Sequence, residues 1–113
     1  MATATFVHDG NAIDYTPGAD VAAGDVVVQG ELLGVARTPI ASGVLGSLAV
    51  GGVFDFPKAT GVGSAIGAGA NVYWDVADVE AKEDAEAGAN KLIGNTVAAA
   101  TDDDETVRVR LSQ

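Results

Sequence analysis

The sequence predicts an all-β fold, a compact antiparallel β-barrel or sandwich forming a single domain over residues 1–113. Three observations predict it. Short runs rich in Val, Ile, Leu and Thr recur along the chain, and such residues suit a pleated, half-buried surface. Gly, Asp, Asn and Pro punctuate these runs at the spacing of turns. The one stretch of good helix formers, residues 79–88 (VEAKEDAEAG), has almost no apolar stripe to bury, and isolated short helices are marginal in water.

In chain order, strands are expected at residues 3–7, 12–15, 26–29, 32–36, 46–50, 53–56, 71–74, 92–99 and 106–111. Gly30-Glu31 separates two Val- and Leu-rich runs by only two residues, which is the length of a tight hairpin turn. The uncharged run 38–54 is broken by Pro39, Gly43, Gly46, Gly51 and Gly52 and is at the short limit for a spanning helix. It reads as two strands with a turn. The Gly-rich stretch 61–67 reads as a flexible connector, and residues 79–88 as an exposed hairpin arm or loop. Asp102-Asp103-Asp104 supplies the turn before the last strand.

Length and charge narrow the function. A chain of 113 residues hides roughly two-thirds of its unfolded surface on folding, so contacts with neighbouring subunits would add appreciably to its stability. There are no cysteines, which removes disulfides, thiolate nucleophiles and Cys-based zinc sites together. Sixteen acidic residues face six basic ones, a net charge of −10, and of the basic residues only Arg108 and Arg110 sit close together. A polyanion without a cationic cluster gains nothing by approaching nucleic acid, so none is expected as a partner. Residues 1–17 lack the basic start and unbroken apolar core of a signal peptide. A soluble protein without a membrane partner is expected.

The acids are mostly Asp, and Lys occurs only three times. Carboxylates hold water and cations in concentrated salt, whereas lysine stems expose apolar carbon. The composition therefore fits a salt-loving source, an ordinary acidic protein being the competing reading.

Catalysis has no visible home. His8 is the only histidine, and no Ser occupies a Gly-x-Ser-x-Gly elbow, so a nucleophile with its base is missing. A surface or interface role suits His8 better. The stretch 61–67 misses dinucleotide-loop spacing by one residue and lacks the Gly-Lys-Ser/Thr ending of a phosphate loop. Asp102-Asp103-Asp104-Glu105 could offer oxygen ligands to a hard cation, but four adjacent carboxylates in a turn cannot all converge on one ion. No enzyme activity, cofactor or metal is expected.

A weak internal repeat is present. Ala23-Gly24-Asp25-Val26-Val27-Val28 followed by Leu33-Gly34-Val35-Ala36 resembles Ala68-Gly69-Ala70-Asn71-Val72-Tyr73 followed by Ile93-Gly94-Asn95-Thr96-Val97-Ala98. Each half then closes on an alternating strand. A duplicated three-strand unit would explain this, with one Gly turning the chain into a strand and a second permitting a bend or close packing. Chance similarity in an Ala/Val/Gly-rich chain is the alternative. Tyr73 and Trp74 are adjacent, so on a strand one ring faces the core and the other faces out. An outward ring would anchor a subunit contact; the competing arrangement tucks both under residues 75–91.

The segments Phe6-Val7-His8-Asp9-Gly10-Asn11-Ala12-Ile13-Asp14-Tyr15, Ala23-Gly24-Asp25-Val26-Val27, Leu33-Gly34-Val35-Ala36, Gly52-Val53-Phe54-Asp55-Phe56-Pro57-Lys58, Val72-Tyr73-Trp74-Asp75 and Leu92-Ile93-Gly94 together resemble the small capsid decoration, or cement, proteins of tailed phages. They follow the same order over nearly the whole chain. The resemblance implies a virion protein on the outer surface of the assembled head, made in the host cytoplasm, that bridges copies of the major capsid protein of the same virus. It also implies a homo-oligomer, a trimer before a dimer. The excess of Asp would then fit a virus or provirus of a salt-loving, haloarchaeal host. Family members are sometimes labelled recombinases, a label that the missing phosphate loop and basic surface contradict. Competing roles are a head-fibre base, a tail-associated β-domain, or a small cation- or ligand-binding module. The candidate contact residues are Thr3, Thr5, Phe6 and Val7, within an N-terminal arm of residues 1–7 suited to strand addition, together with Tyr73 and Trp74.

Repulsion among sixteen carboxylates should destabilise the isolated protein in dilute buffer, and screening should relieve it. The melting temperature is expected to climb steeply from low to molar potassium chloride. A flat profile in differential scanning calorimetry would count against the salt-loving origin.

Overall fold

The computed structural model describes residues 3–7 and 10–113. Within them lie nine strands: β1 (Ala12–Tyr15), β2 (Val26–Gln29), β3 (Leu32–Val35), β4 (Gly46–Ala49), β5 (Val53–Pro57), β6 (Asn71–Asp75), β7 (Glu80–Lys82), β8 (Lys91–Thr96) and β9 (Thr106–Leu111), with one short 3-10 turn at Glu86–Gly88. They make two antiparallel sheets, ordered β1-β4-β3-β2 and β5-β9-β8-β6-β7. The expected all-β fold is the observed one.

The two sheets are the same unit built twice. In each, the first strand pairs with the last, and the middle two complete a Greek-key order: β1, β2, β3 and β4 answer to β5, β6, β8 and β9. The repeat suspected in the sequence is thus a four-strand unit, one strand larger than expected. Hydrogen bonds match atom for atom. Gly24 N–H donates to the Ala36 carbonyl at 2.6 Å and Ala36 N–H to that of Asp25 at 2.9 Å. Gly69 N–H likewise donates to the Thr96 carbonyl at 2.9 Å and Thr96 N–H to that of Ala70 at 3.0 Å. Gly24 and Gly69 enter their strands with φ of 92° and 75°, a region that favours glycine. Isolated bridges Val21–Ile40 and Ile66–Ala100 close the two units at equivalent places.

A second pair of glycines brings neighbouring strands together. A Cβ on Gly34 would lie 2.8 Å from Leu48 Cβ and 3.2 Å from the Ala49 carbonyl oxygen. On Gly94 it would overlap the carbonyl oxygen of Arg110 outright. Both glycines therefore let the third strand of a unit press on the fourth, as close packing in the repeat required.

Burial differs between the units. The main core holds Phe56, Ile66, Val72, Trp74, Ala81, Ile93, Ala100, Val107, Val109 and Leu111 from the second unit but only Leu33 and Val35, fully buried, from the first. Val26 and Val28 pack against it from β2. A smaller cluster of Ala36, Ile40 and Leu48, with Ile13, Tyr15, Val21 and Val27, forms separately. The unbroken Val26-Val27-Val28 run follows from this: the first sheet has apolar neighbours on both faces, so its strand does not alternate. In the second sheet β5 and β7, the outermost strands, come together, and Phe56 meets Trp74 edge-on with ring centroids 6.0 Å apart.

Several expectations need correction. Residues 3–7 form no strand, and their backbone groups make no hydrogen bond to another described residue that would hold them in one. The strand expected at residues 92–99 ends at Thr96, where Thr96 and Val97 N–H turn to Ala70 and Arg108 carbonyls. β7 was hidden because Glu-Ala-Lys has no β-propensity; pairing with β6 imposes it, and residues 79–88 hold a strand and a 3-10 turn together. The Gly-rich stretch is pinned rather than flexible, with Ile66 5% exposed in its bridge to Ala100.

Gly94→Ala should destabilise the domain by about 2–4 kcal/mol, because the added methyl meets backbone that cannot step aside. Gly34→Ala should cost about 1–3 kcal/mol, since Leu48 can shift slightly. Urea unfolding midpoints of the two variants test the order.

Candidate interaction surface

The candidate contact residues separate into three groups. Thr3, Thr5, Phe6 and Val7 are all exposed, Phe6 to 80% and Val7 to 81%. Met1, Ala2, His8 and Asp9 lie outside the described residues, so the ends of the 1–7 arm and the expected surface role of His8 do too. Tyr73 and Trp74 do face opposite ways. Tyr73 is half-buried on the outer side, whereas Trp74 is 5% exposed and packs on Phe56. Trp74 is therefore a core residue and leaves the set of contact candidates: its indole packs edge-on against Phe56 within the main core.

Other exposed apolar side chains gave no sequence signal. Val44 and Leu45 stand on the β3–β4 connection, Val62 on the β5–β6 connection, and Val76 and Val79 on the β6–β7 turn. They occur singly or in a pair close to turn formers such as Gly43, Gly46, Gly61, Gly63, Asp75 and Asp78, and so are indistinguishable in sequence from short strand ends. Val79 has φ of 56°, a costly conformation for a β-branched residue; its N–H donates to the Asp75 carbonyl at 2.8 Å.

That turn belongs to the segment the first unit lacks. Where Gly30-Glu31 alone joins β2 to β3, residues 76–90 join β6 to β8. Its anchor is ionic. Lys82 Nζ lies 2.9 Å from Asp75, 2.5 Å from Asp78 and 3.8 Å from Glu80. The Asp75 carboxylate also accepts the N–H groups of Ala77 and Asp78, each at 3.0 Å. Asp75 and Asp78, close in sequence, are thus turn-forming groups.

The remaining cations are mostly engaged too. Lys91 pairs with Glu31 and Arg108 with Asp55, each at 2.9 Å; the Arg108 guanidinium holds the Asp55 carboxyl below its usual range. Lys58, only 6% exposed, gives its ammonium to the carbonyls of Ala59, Thr101 and Asp104 at 2.7, 2.9 and 2.9 Å. Arg37 and Arg110 form no ion pair with a described residue.

The acidic turn is bound up in its own structure. Asp102 accepts the Ala65 N–H at 2.9 Å and Asp104 the Thr101 N–H at 2.8 Å, while two carbonyls of the turn already face Lys58. Among the described residues no three His, Asp or Glu side chains are grouped to hold a metal ion.

The ion cluster sets a pH dependence. The Lys82 ammonium, and then the Asp78 N–H, lower the Asp75 carboxyl to about 2 from its ordinary 3.8. As pH falls, the unfolded chain takes up the proton first, so the stabilisation is complete above the ordinary value and lost on the way down to about 2. Asp78, then Asp75, raises Lys82 above its ordinary 10.5, so its share is present below that value and lost only at higher pH. Urea midpoints should fall between pH 4 and pH 2 in the wild type, and Asp75→Asn should flatten the fall in this window.

Neither the curated proteins nor the solved structures contain a match to this chain. A family model described as phage cement protein matches residues 7–111, which takes in both repeat units from the first strand to the last. This chain therefore belongs to the phage cement protein family, a family of virion structural proteins.

Proposed function

We propose that the protein binds the outside of the assembled phage head as a homo-oligomer and reinforces the shell by bridging neighbouring copies of the major capsid protein. The observation that carries this reading is the extent of the family match. Residues 7–111 span the complete duplicated fold, so a cementing role attaches to the whole domain rather than to a shared fragment.

Exposure supports it. The chain has 6748 Å² of accessible surface, against about 5,700 Å² for a compact monomer of its mass. The excess goes with the exposed residues 3–7 and the apolar tips Val44, Leu45 and Val62, surface that partners can cover. Each contact with the shell would be small, and many copies acting together would supply the resistance to internal pressure through multivalency. Assembly of the site only where several capsid subunits meet explains how such a protein would distinguish a finished head from free subunits.

Purified protein should rebind undecorated heads, raise the temperature at which they release DNA, and bind free capsid subunits weakly. Deleting residues 1–7 should weaken rebinding while the circular dichroism spectrum is retained. Tyr73→Ala should act in the same way. Trp74→Ala should instead destabilise the fold by about 3–5 kcal/mol, the cost of emptying a buried aromatic site. Equal robustness of bare and decorated heads, with no rebinding, would overturn the proposal.

A further inference from the structure

In the second repeat the outer edge of β6 is covered. β7 lies antiparallel on it, with Tyr73 opposite Lys82, Trp74 opposite Ala81 and Asp75 opposite Glu80. β2 is the first repeat's counterpart of β6, and no described strand pairs with its outer edge. The direction of its free groups follows from the ladder. The Asp25 carbonyl accepts the Ala36 N–H, so residues 25, 27 and 29 direct their backbone groups at β3, and Val26 and Val28 direct theirs away. That edge therefore presents two N–H and two C=O groups, bordered by half-buried Val side chains. Soluble proteins commonly blunt such an edge with Lys, Pro or a bulge. β2 has no Lys or Pro and pairs with β3 in unbroken register.

We propose that residues 3–7 of a second copy of this chain occupy that edge, adding antiparallel to β2 as β7 adds to β6. The segment reads Thr-Ala-Thr-Phe-Val, which combines β-propensity with no charge in a chain of net −10. It therefore approaches the edge without like-charge repulsion. Five extended residues cover about 17 Å, enough for the four residues of β2. Phe6 and Val7, 80% and 81% exposed, gain neighbours in the process.

The chain's own arm does not reach. It enters β1, at the far side of the sheet from β2, and four strand spacings make about 19 Å. The link from Val7 to Ala12 extends to at most about 18 Å, before any bending around the sheet. Donor and acceptor thus sit at opposite edges of one sheet. Such a contact is head-to-tail and closes into a ring when the rotation permits.

This inference deepens the proposed role of the arm, and its test uses the isolated full-length protein, so that it stands or falls separately from head binding. Sedimentation velocity should show wild-type protein as an oligomer. Deletion of residues 1–7 removes the donor, and Val28→Pro removes an outward N–H of the acceptor while sparing the ladder to β3. Each variant should sediment as an 11.2 kDa-class monomer. Mixed together, they should form a one-to-one complex and nothing larger, since only one good donor and one good acceptor then exist.

The chain has no native cysteine, which allows a second measurement if Val28→Pro fails to fold. Val27→Cys is combined in turn with Ala4→Cys, Thr5→Cys and Phe6→Cys, and mild oxidation should link separate copies in at least one combination. A monomeric wild type, an oligomer that survives both variants, or no cross-link in any combination would each overturn the inference. Rebinding of a strictly monomeric protein to heads would do the same and leave the cementing role standing.

Discussion

Two strands in each half of this protein approach closely enough that only hydrogen fits between them. Gly94 lies against the Arg110 carbonyl and Gly34 against Leu48 and the Ala49 carbonyl. The remaining geometry depends on these contacts. With the third and fourth strands of a unit pressed together, the Asp25–Ala36 and Ala70–Thr96 hydrogen bonds fall into place at the strand entry. The Val21–Ile40 and Ile66–Ala100 bridges then seal the adjoining segments. The Gly94 contact is with backbone alone and so tolerates change in neighbouring side chains, whereas the Gly34 contact also involves the Leu48 side chain.

The halves have diverged in what they bury. The second unit holds the aromatic core, an extra strand and the Lys82 ion cluster. The first unit has a small cluster around Ile40 and Leu48 and lends Leu33 and Val35 to its neighbour's core. Its sheet leaves the outer edge of β2 without a described partner where the second unit covers the edge of β6 with β7, and residues 3–7, which precede β1, are exposed. A division of labour is consistent with this: one unit stabilises the fold, and the other presents surface for assembly.

Much of this was legible in the sequence. Val26–Gln29 and Thr106–Leu111 are bounded by turn residues and rich in branched side chains, so their strands are found at the expected limits. The matched glycines 24/69 and 34/94 disclosed the duplication, because glycine is demanded by backbone geometry and persists where side chains drift. β7 was not legible: Glu-Ala-Lys becomes a strand only because β6 offers an edge and Asp75 and Asp78 fix Lys82. Trp74 could be assigned to a pair of opposed rings but not to a face, since alternation gives relative and not absolute direction. Lys58 looked like one more surface cation. Its burial depends on carbonyls 43 and 46 residues away in the chain, which no local pattern reports.

Lys58 has a consequence of its own. Its ammonium joins the loop after β5 to the turn before β9, accepted by three carbonyl oxygens in the manner of a small hard ion among oxygen ligands. Here the positive charge is a covalent part of the chain. The joint has no occupancy to lose by dilution, no competition from other ions for its place, and nothing for a chelator to withdraw. A virion protein passes from the interior of a cell to whatever medium lies outside it. A joint with its own tethered charge keeps the same composition on both sides of that passage.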